Sequence, residues 1–230
     1  MIRIVHDQWL SQILEKPAFS LHNSFDQLSK EDLPNGVAFL GAKVPSSDVT
    51  GLLNMQRLNF KVIDTNVQLF QSYLDRSAKY PNIRFAVQRD ELEVRYLARN
   101  TFKYNRFHQD PCIPNDIASR IKEEWVGNYF KGRRGEWMVV AEDKNKVAGF
   151  LQLLRKDNTL IIDLIAVDKD CRGKGIAKAM ISFASKNCVN KLSGIQVGTQ
   201  IANTASLSLY TSLGFHIISA AYVLHLHQQG

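Results

Sequence analysis

The run from Ile161 to Ala177, Ile-Ile-Asp-Leu-Ile-Ala-Val-Asp-Lys-Asp-Cys-Arg-Gly-Lys-Gly-Ile-Ala, constrains the fold of this chain more than any other stretch. Leu160–Val167 is almost continuously apolar and predicts a strand buried on both faces. Charged residues and two glycines follow. Ala177, Met180, Ile181, Ala184 and Cys188 then recur at helical spacing. A strand, a glycine loop and a helix start in succession suit an anion. Gly173 and Gly175 let backbone N–H groups approach closely. The helix start adds unpaired N–H groups and partial positive charge. Arg172 and Lys174 add full charges, so the segment reads as a pyrophosphate site. No third glycine completes a dinucleotide fingerprint, and Ile176 after Gly175 excludes a Walker loop.

The pattern that does fit is R-x-x-G-x-A, Arg172 to Ala177. It resembles the acyl-CoA loop of the GNAT superfamily of N-acetyltransferases, and the resemblance extends over residues 83–227. It implies an α/β (α+β mixed sheet) chain of the GNAT acyl-CoA N-acyltransferase fold, with acetyl-CoA as co-substrate and no metal. It also implies that the fourth and fifth strands of that fold splay apart, leaving the backbone of Ile165, Ala166 and Val167 to hold the cofactor. Arg172, Gly173, Lys174, Gly175, Ile176 and Ala177 would join them, and so would Asn203 at a helix start. Tyr210 is the expected general acid. It lies two helical turns after Asn203, and a phenol is protonated at neutral pH and can donate to a departing thiolate.

Hydrophobic residues make up 45% of the 230 and supply a core, and the net charge is +7. A basic chain suits anionic partners. The basic residues are scattered and no aromatic RNA-binding signature is present, which points away from nucleic acid. No stretch approaches the ~20 apolar residues of a membrane span. Three cysteines without metal or redox spacing fit a reducing cytoplasm. The N-terminus carries no signal-peptide pattern.

Along the chain, Trp9, Leu10, Ile13 and Leu14 outline a helix stopped by Lys16-Pro17. The segment from Val37 to Phe70 then aligns without a gap on the segment from Ile195 onwards. Asp48 falls on Asn203, Leu52 on Leu207, Leu58 on Leu213, Asn59 on Gly214 and Phe60 on Phe215. Both read as strand, capped helix, left-handed stop and two strands. Residues 36–72 are therefore a degenerate repeat of the C-terminal half, with Met55 where Tyr210 stands. The polar stretch Ser72–Asn82 is the boundary between a truncated GNAT-like unit, 1–78, and a catalytic unit, 79–230. Beyond it, Ile83–Val87 predicts a strand. Glu91–Phe102 predicts a helix with Leu92, Tyr96, Leu97 and Phe102 on one face. A second helix starts at Asn115 or Asp116, carries Trp125 and ends near Gly132. Strands follow at Trp137–Ala141 and Val147–Leu154.

Arg106, Phe107 and His108 lie in the irregular segment between the two helices, where GNAT enzymes commonly bind the acceptor. Glu136 and Asp163 border the site and read as solvated carboxylates. His225 and His227 read as strand filler. Phe102–Pro111, Trp125 and Thr199–Tyr210 resemble the TDP-fucosamine acetyltransferase group, which also carries a truncated N-terminal half. The R-x-x-G-x-A loop is fuller here than in that group, which leaves the sugar open. The resemblance implies acetylation of a nucleotide-linked 4-amino-4,6-dideoxy sugar by direct transfer in a ternary complex. Its partners would be acetyl-CoA and an anionic amine. A GNAT enzyme acting on a protein or metabolite amine is the alternative, and a non-catalytic acyl-CoA-binding module is a second. Sheet-edge strands at both ends suit a homodimer.

Overall fold

Turn chemistry and caps divide the chain much as its sequence predicts. The computed structural model describes residues 2–23, 25–72, 80–188 and 193–228. Strand β1 (Arg3–His6), helix α1 (Gln8–Leu14) and strand β2 (Ala18–His22) come first, followed by β3 (Phe39–Pro45), α2 (Val49–Arg57) and β4 (Lys61–Gln71). After the polar stretch, most of which lies outside the described residues, come β5 (Ile83–Phe85), α3 (Glu91–Thr101), α4 (Asn115–Phe130), β6 (Trp137–Asp143) and β7 (Lys146–Lys156). The chain then forms β8 (Thr159–Val167), α5 (Ile176–Asn187), β9 (Gly194–Gln200), α6 (Thr204–Ser212) and β10 (His216–His227). The β6–β7 turn places Lys144 and Asn145 at positive φ, as a two-residue hairpin of this twist requires.

All ten strands form one mixed sheet, in the order β1-β2-β3-β10-β4-β9-β8-β7-β6-β5. β10 inserts between β3 and β4, so the N-terminal and C-terminal halves share the sheet. The repeat is visible as an internal two-fold relation. α2 and α6 have nine residues each, capped by Asp48 and Asn203 at φ −89° and −86°. Each is followed by a left-handed residue, Asn59 at φ 68° and Gly214 at φ 82°. β4 and β10 pair antiparallel with each other, His216 opposite Phe70 and His225 opposite Lys61. The relation extends beyond the segment that the sequence aligns: parallel β2–β3 matches parallel β8–β9, and antiparallel β1–β2 matches β7–β8.

Three sequence readings are corrected. β4 and β10 are each one long strand rather than two. The polar or small residues Asp64–Asn66 and Ser219–Ala221 resemble turns in sequence but pair across the two-fold centre, with shifts at Ile217/Ser219 and Val223/Leu224. β8 alternates between buried and half-buried residues rather than being buried on both faces, and its half-buried Ile165 and Val167 border an open cleft. On α3 the buried side is Val94, Leu97 and Ala98, and Leu92 and Tyr96 are exposed.

One core cluster joins α5 and α6 to one face of the sheet through Leu151, Ile162, Met180, Val197, Tyr210 and Phe215. On the other face α3 and α4 pack on Met138, Val140, Phe150 and Leu164. The N-terminal half has its own cluster of Leu40, Val44, Met55, Phe60, Leu224 and Leu226. Met55, fully buried, fills the place that Tyr210 holds in the second copy.

Candidate active site

β8 and β9 begin as a parallel pair and then part. Their pairing runs from Thr159 with Gly194 to Ile162 with Val197 and stops there, although β8 continues to Val167 and β9 to Gln200. Beyond that point β9 follows β4 on its other side. The strands part beside a bulge: Gln152 pairs Leu164 and Leu153 pairs Ile162, so Asp163 has no opposite residue. The edge of β8 over Ile165–Val167 pairs β7 on one side and faces open space on the other. The predicted splay is thus present in the register.

A cleft of about 640 Å³ fills this gap. Ile165, Ala166 and Val167 form one wall, Arg172, Gly173, Gly175, Ile176 and Ala177 the loop end, and Gln200, Asn203, Ala205, Ser206 and Leu209 the far side. Asn100–Asn105, from the end of α3 and the segment after it, close it. Gly173 and Gly175 have φ of +76° and +77° and would meet nothing within 4 Å if a Cβ were added. Backbone conformation, not crowding, requires glycine at both. Gly175 caps α5, whose first-turn N–H groups open towards the loop. Arg172 donates from Nε to the Val167 carbonyl at 3.3 Å. Lys174 turns away from the cleft walls and pairs with Asp143 at 3.3 Å. The side chain of Ile176 is buried in the core. Asn203 caps α6, accepting from the Ser206 N–H at 3.2 Å, and also lines the cleft.

Tyr210 is not a cleft wall. Its ring is 2% exposed and packs on Phe215 with centroids 5.4 Å apart. Burial pushes its phenol well above the ordinary tyrosine range, so it stays protonated. No residue of the chain hydrogen-bonds to that hydroxyl among those described.

The predicted acceptor residues are less accessible than the sequence suggests. Phe107 is core, and the half-buried Arg106 guanidinium stacks on its ring at 4.6 Å. His108 has both ring nitrogens engaged, Nδ1 with Asn105 at 2.6 Å and Nε2 with Ser119 at 3.2 Å. Burial and the nearby Lys122 hold its pKa below the usual value. None of the three lines the cleft; their neighbours Phe102–Asn105 do.

Glu136 is exposed, as predicted. Asp163 is not solvated: the bulge aims it at Arg134, which pairs with it at 2.6 Å, while Trp125 Nε1 donates to it at 2.9 Å and Gln152 at 3.3 Å. His225 and His227 are more than filler. His225 Nδ1 and His227 Nε2 both donate to Asp110 Oδ2, at 2.6 and 2.7 Å. This triad, with Asp110 and His225 buried and His227 half-buried, ties the α3–α4 connection to β10. The ligand-capable atoms of the three residues lie within 4.8 Å of one another, but the pairwise separations are those of hydrogen bonds. Sequence reasoning also missed Lys122. Although it lies among polar residues in sequence, it is only 7% exposed, its ammonium 4.7 Å from the Trp125 ring and 5.3 Å from that of Phe102.

Residues 134–217, which contain the bulge, the glycine loop and α6, match the acetyltransferase (GNAT) domain family. The chain carries a GNAT acetyltransferase domain. It is thereby an enzyme of the GNAT N-acetyltransferase type, a family that uses acetyl-CoA. Among characterised proteins, the chain is 26% identical over 233 residues to the spore coat polysaccharide biosynthesis protein SpsD of Bacillus subtilis, covering 95% of this chain and 80% of that one. It is 26% identical over 186 residues to the dTDP-fucosamine acetyltransferase of Escherichia coli, covering 80% of each. A GCN5-related N-acetyltransferase structure from Sphaerobacter thermophilus shares the fold, with a TM-score of 0.63 at 11% identity over 98% of this chain and 76% of that one. No described helix of the GNAT chain is long and apolar enough to cross a membrane.

Proposed function

We propose that this GNAT enzyme transfers an acetyl group from acetyl-CoA to the amino group of a nucleotide-linked 4-amino-4,6-dideoxy sugar, directly and within a ternary complex. The observation that carries the reading is the cleft where β8 and β9 part, with a glycine loop at one end and the cap of α6 at its side. Its residues suit the cofactor. The backbone around Gly173 and Gly175, the start of α5 and the Arg172 guanidinium suit a pyrophosphate. The open edge of Ile165–Val167 offers N–H and C=O groups to an extended amide chain. Acetyl-CoA supplies the acetyl group as a thioester.

The remaining work belongs to the protein. A β8 N–H beyond the bulge polarises the acetyl carbonyl. Tyr210 holds a proton on its phenolic oxygen for the departing thiolate. Asp163, held by Arg134, Trp125 and Gln152, orients the acceptor side rather than acting as base. The acceptor amine then loses its proton to solvent in the cleft. The N-terminal half shapes the acceptor side. The sugar acceptor is supported by the two polysaccharide and nucleotide-sugar relatives, each matched over four fifths of its length.

The test is thiol release from acetyl-CoA with a dTDP-4-amino-4,6-dideoxyhexose, run beside peptides, polyamines, amino acids and simple amino sugars. Release with the nucleotide sugar alone is the expected result. Release with another amine and none with the nucleotide sugar would leave the acetyltransferase and remove the sugar.

A further inference from the structure

Lys122 presents a physical problem that the transfer chemistry does not solve. A lysine more than nine-tenths buried normally has a carboxylate partner. Lys122 has none: among the described residues it forms no ion pair, and its ammonium lies against the rings of Trp125 and Phe102. The carboxylate whose charge acts on it, Asp163, is already bonded to Arg134, whose guanidinium stands 4.7 Å from the same Trp125 ring.

More positive charge lies beside it. Among the described residues Arg106 forms no ion pair, Asp7 acting on it only through its field, and it reaches β3, where a Cβ on Gly41 would stand 3.4 Å from its Nη1. Lys43 is two residues along β3 from Gly41 and so points to the same face. Its neighbour two strands over is Asp64, reached through Val223 of β10. Asp64 is a poor counter-ion. It is buried, one of its oxygens has no partner, and burial lifts its pKa to about 6. Burial first, then the charges of Arg106, Arg134 and Lys43 against the opposing pull of Asp163, bring the Lys122 ammonium down to about 8.

Three cations gathered on one side of the sheet without an ion pair among the described residues, from the buried Lys122 to the exposed Lys43, are a group that an anion would stabilise. The group adjoins the active-site cleft through Phe102, whose ring lies under Lys122 and forms part of the cleft wall. It lies on the α4 side, away from the glycine loop that suits the cofactor's own pyrophosphate. We propose that Lys122, Arg106 and Lys43 form a second anion subsite, which takes the diphosphate of a nucleoside diphosphate-linked acceptor. The assignment rests on the acceptor class proposed above and names the residues that select it. It also gives the N-terminal half a part in the site, since Lys43 belongs to β3 and Arg106 packs on Gly41.

The probe is dTDP, without sugar or amine, titrated calorimetrically into the wild type, Lys122→Met and Arg106→Gln. Methionine keeps the length and apolar stem of Lys122 and removes the charge. CoA titrated into each variant reports an intact fold. The subsite predicts that wild type binds dTDP and that each variant binds it about tenfold or more weakly, with CoA affinity unchanged. Equal dTDP affinity in wild type and both variants would overturn it, as would failure of the wild type to bind dTDP. Turnover separates the two claims. If the nucleotide sugar is acetylated with the same KM by Lys122→Met as by wild type, the subsite falls and the acceptor class stands. If dTDP binding depends on Lys122 but the nucleotide sugar is not acetylated, the subsite stands and the acceptor class falls.

Discussion

Tyr210→Phe removes one oxygen from a ring that is otherwise core. The packing against Phe215 is retained, so the change isolates the proton. We expect kcat to fall by about 10²-fold with little change in the KM for acetyl-CoA, measured by steady-state thiol release. Unchanged kcat would remove the acid role and leave Tyr210 as a packing residue. Gly175→Val tests the loop. A φ of +77° is costly for any L-residue, about 1–2 kcal/mol, and most for a β-branched one. CoA affinity should drop at least about tenfold while the far-ultraviolet spectrum is kept, because the strain is confined to the loop. At this scale the sequence is informative where a residue's backbone role is local. The two glycines, Asn203 as a cap and Asn59 as a left-handed stop are all readable from their neighbours. Residues whose role depends on distant partners are not. The fates of Asp163 and Lys122 are set by a bulge and by rings contributed from α4 and the segment after α3, and helical periodicity carries neither.

The α3–α4 connection is anchored to the sheet by the Asp110–His225–His227 triad. Burial lowers the His225 pKa from 6.5 to about 4. Between those values the unfolded chain binds a proton that the folded chain refuses. Stability therefore falls as pH drops through that window, by up to about 1 kcal/mol per pH unit. Asp64, with its pKa lifted to about 6, titrates over the same range with the opposite sign. The clean observable is consequently a difference. His225→Asn keeps a donor near Nδ1 for Asp110 but does not titrate. Thermal melting should show wild type losing more stability than this variant between pH 7 and pH 4.5; parallel losses would contradict the account. Elements with strong caps and periodicity, such as α2, α5 and α6, fall close to their predicted bounds. β1 and β2 were not foreseen, because strands of four and five residues carry too little alternation to register.

For the whole molecule, the governing fact is one sheet shared by two related halves. β10 lies between β3 and β4, and β9 follows β4. Removing residues 1–72 would strip partners from both edges of β10 and from one edge of β9. It would also expose Leu224 and Leu226, which now pack on Leu40, Val44 and Phe60. Each buried aliphatic side chain contributes about 1.5–3 kcal/mol. The remaining chain should fail to fold on its own, as read by circular dichroism and solubility. A cooperative melt with full acetyltransferase activity would show that the halves are independent. The sequence revealed the repeat because each copy keeps its own cap and stop. It did not reveal that the copies interleave, since strand pairing between residues 61–71 and 216–227 is a long-range choice that local pattern does not encode.

The central claim is that this GNAT site recognises an amine through the nucleotide attached to it. The most direct test is kcat/KM for a dTDP-4-amino-4,6-dideoxyhexose against the methyl glycoside of the same amino sugar, at fixed acetyl-CoA. We predict a preference for the nucleotide form of about 10²-fold or more, residing chiefly in KM, since the diphosphate lies remote from the reacting nitrogen. Equal kcat/KM for the two acceptors would contradict the account, and the cleft would then have to be read as selecting its amine by the sugar ring alone.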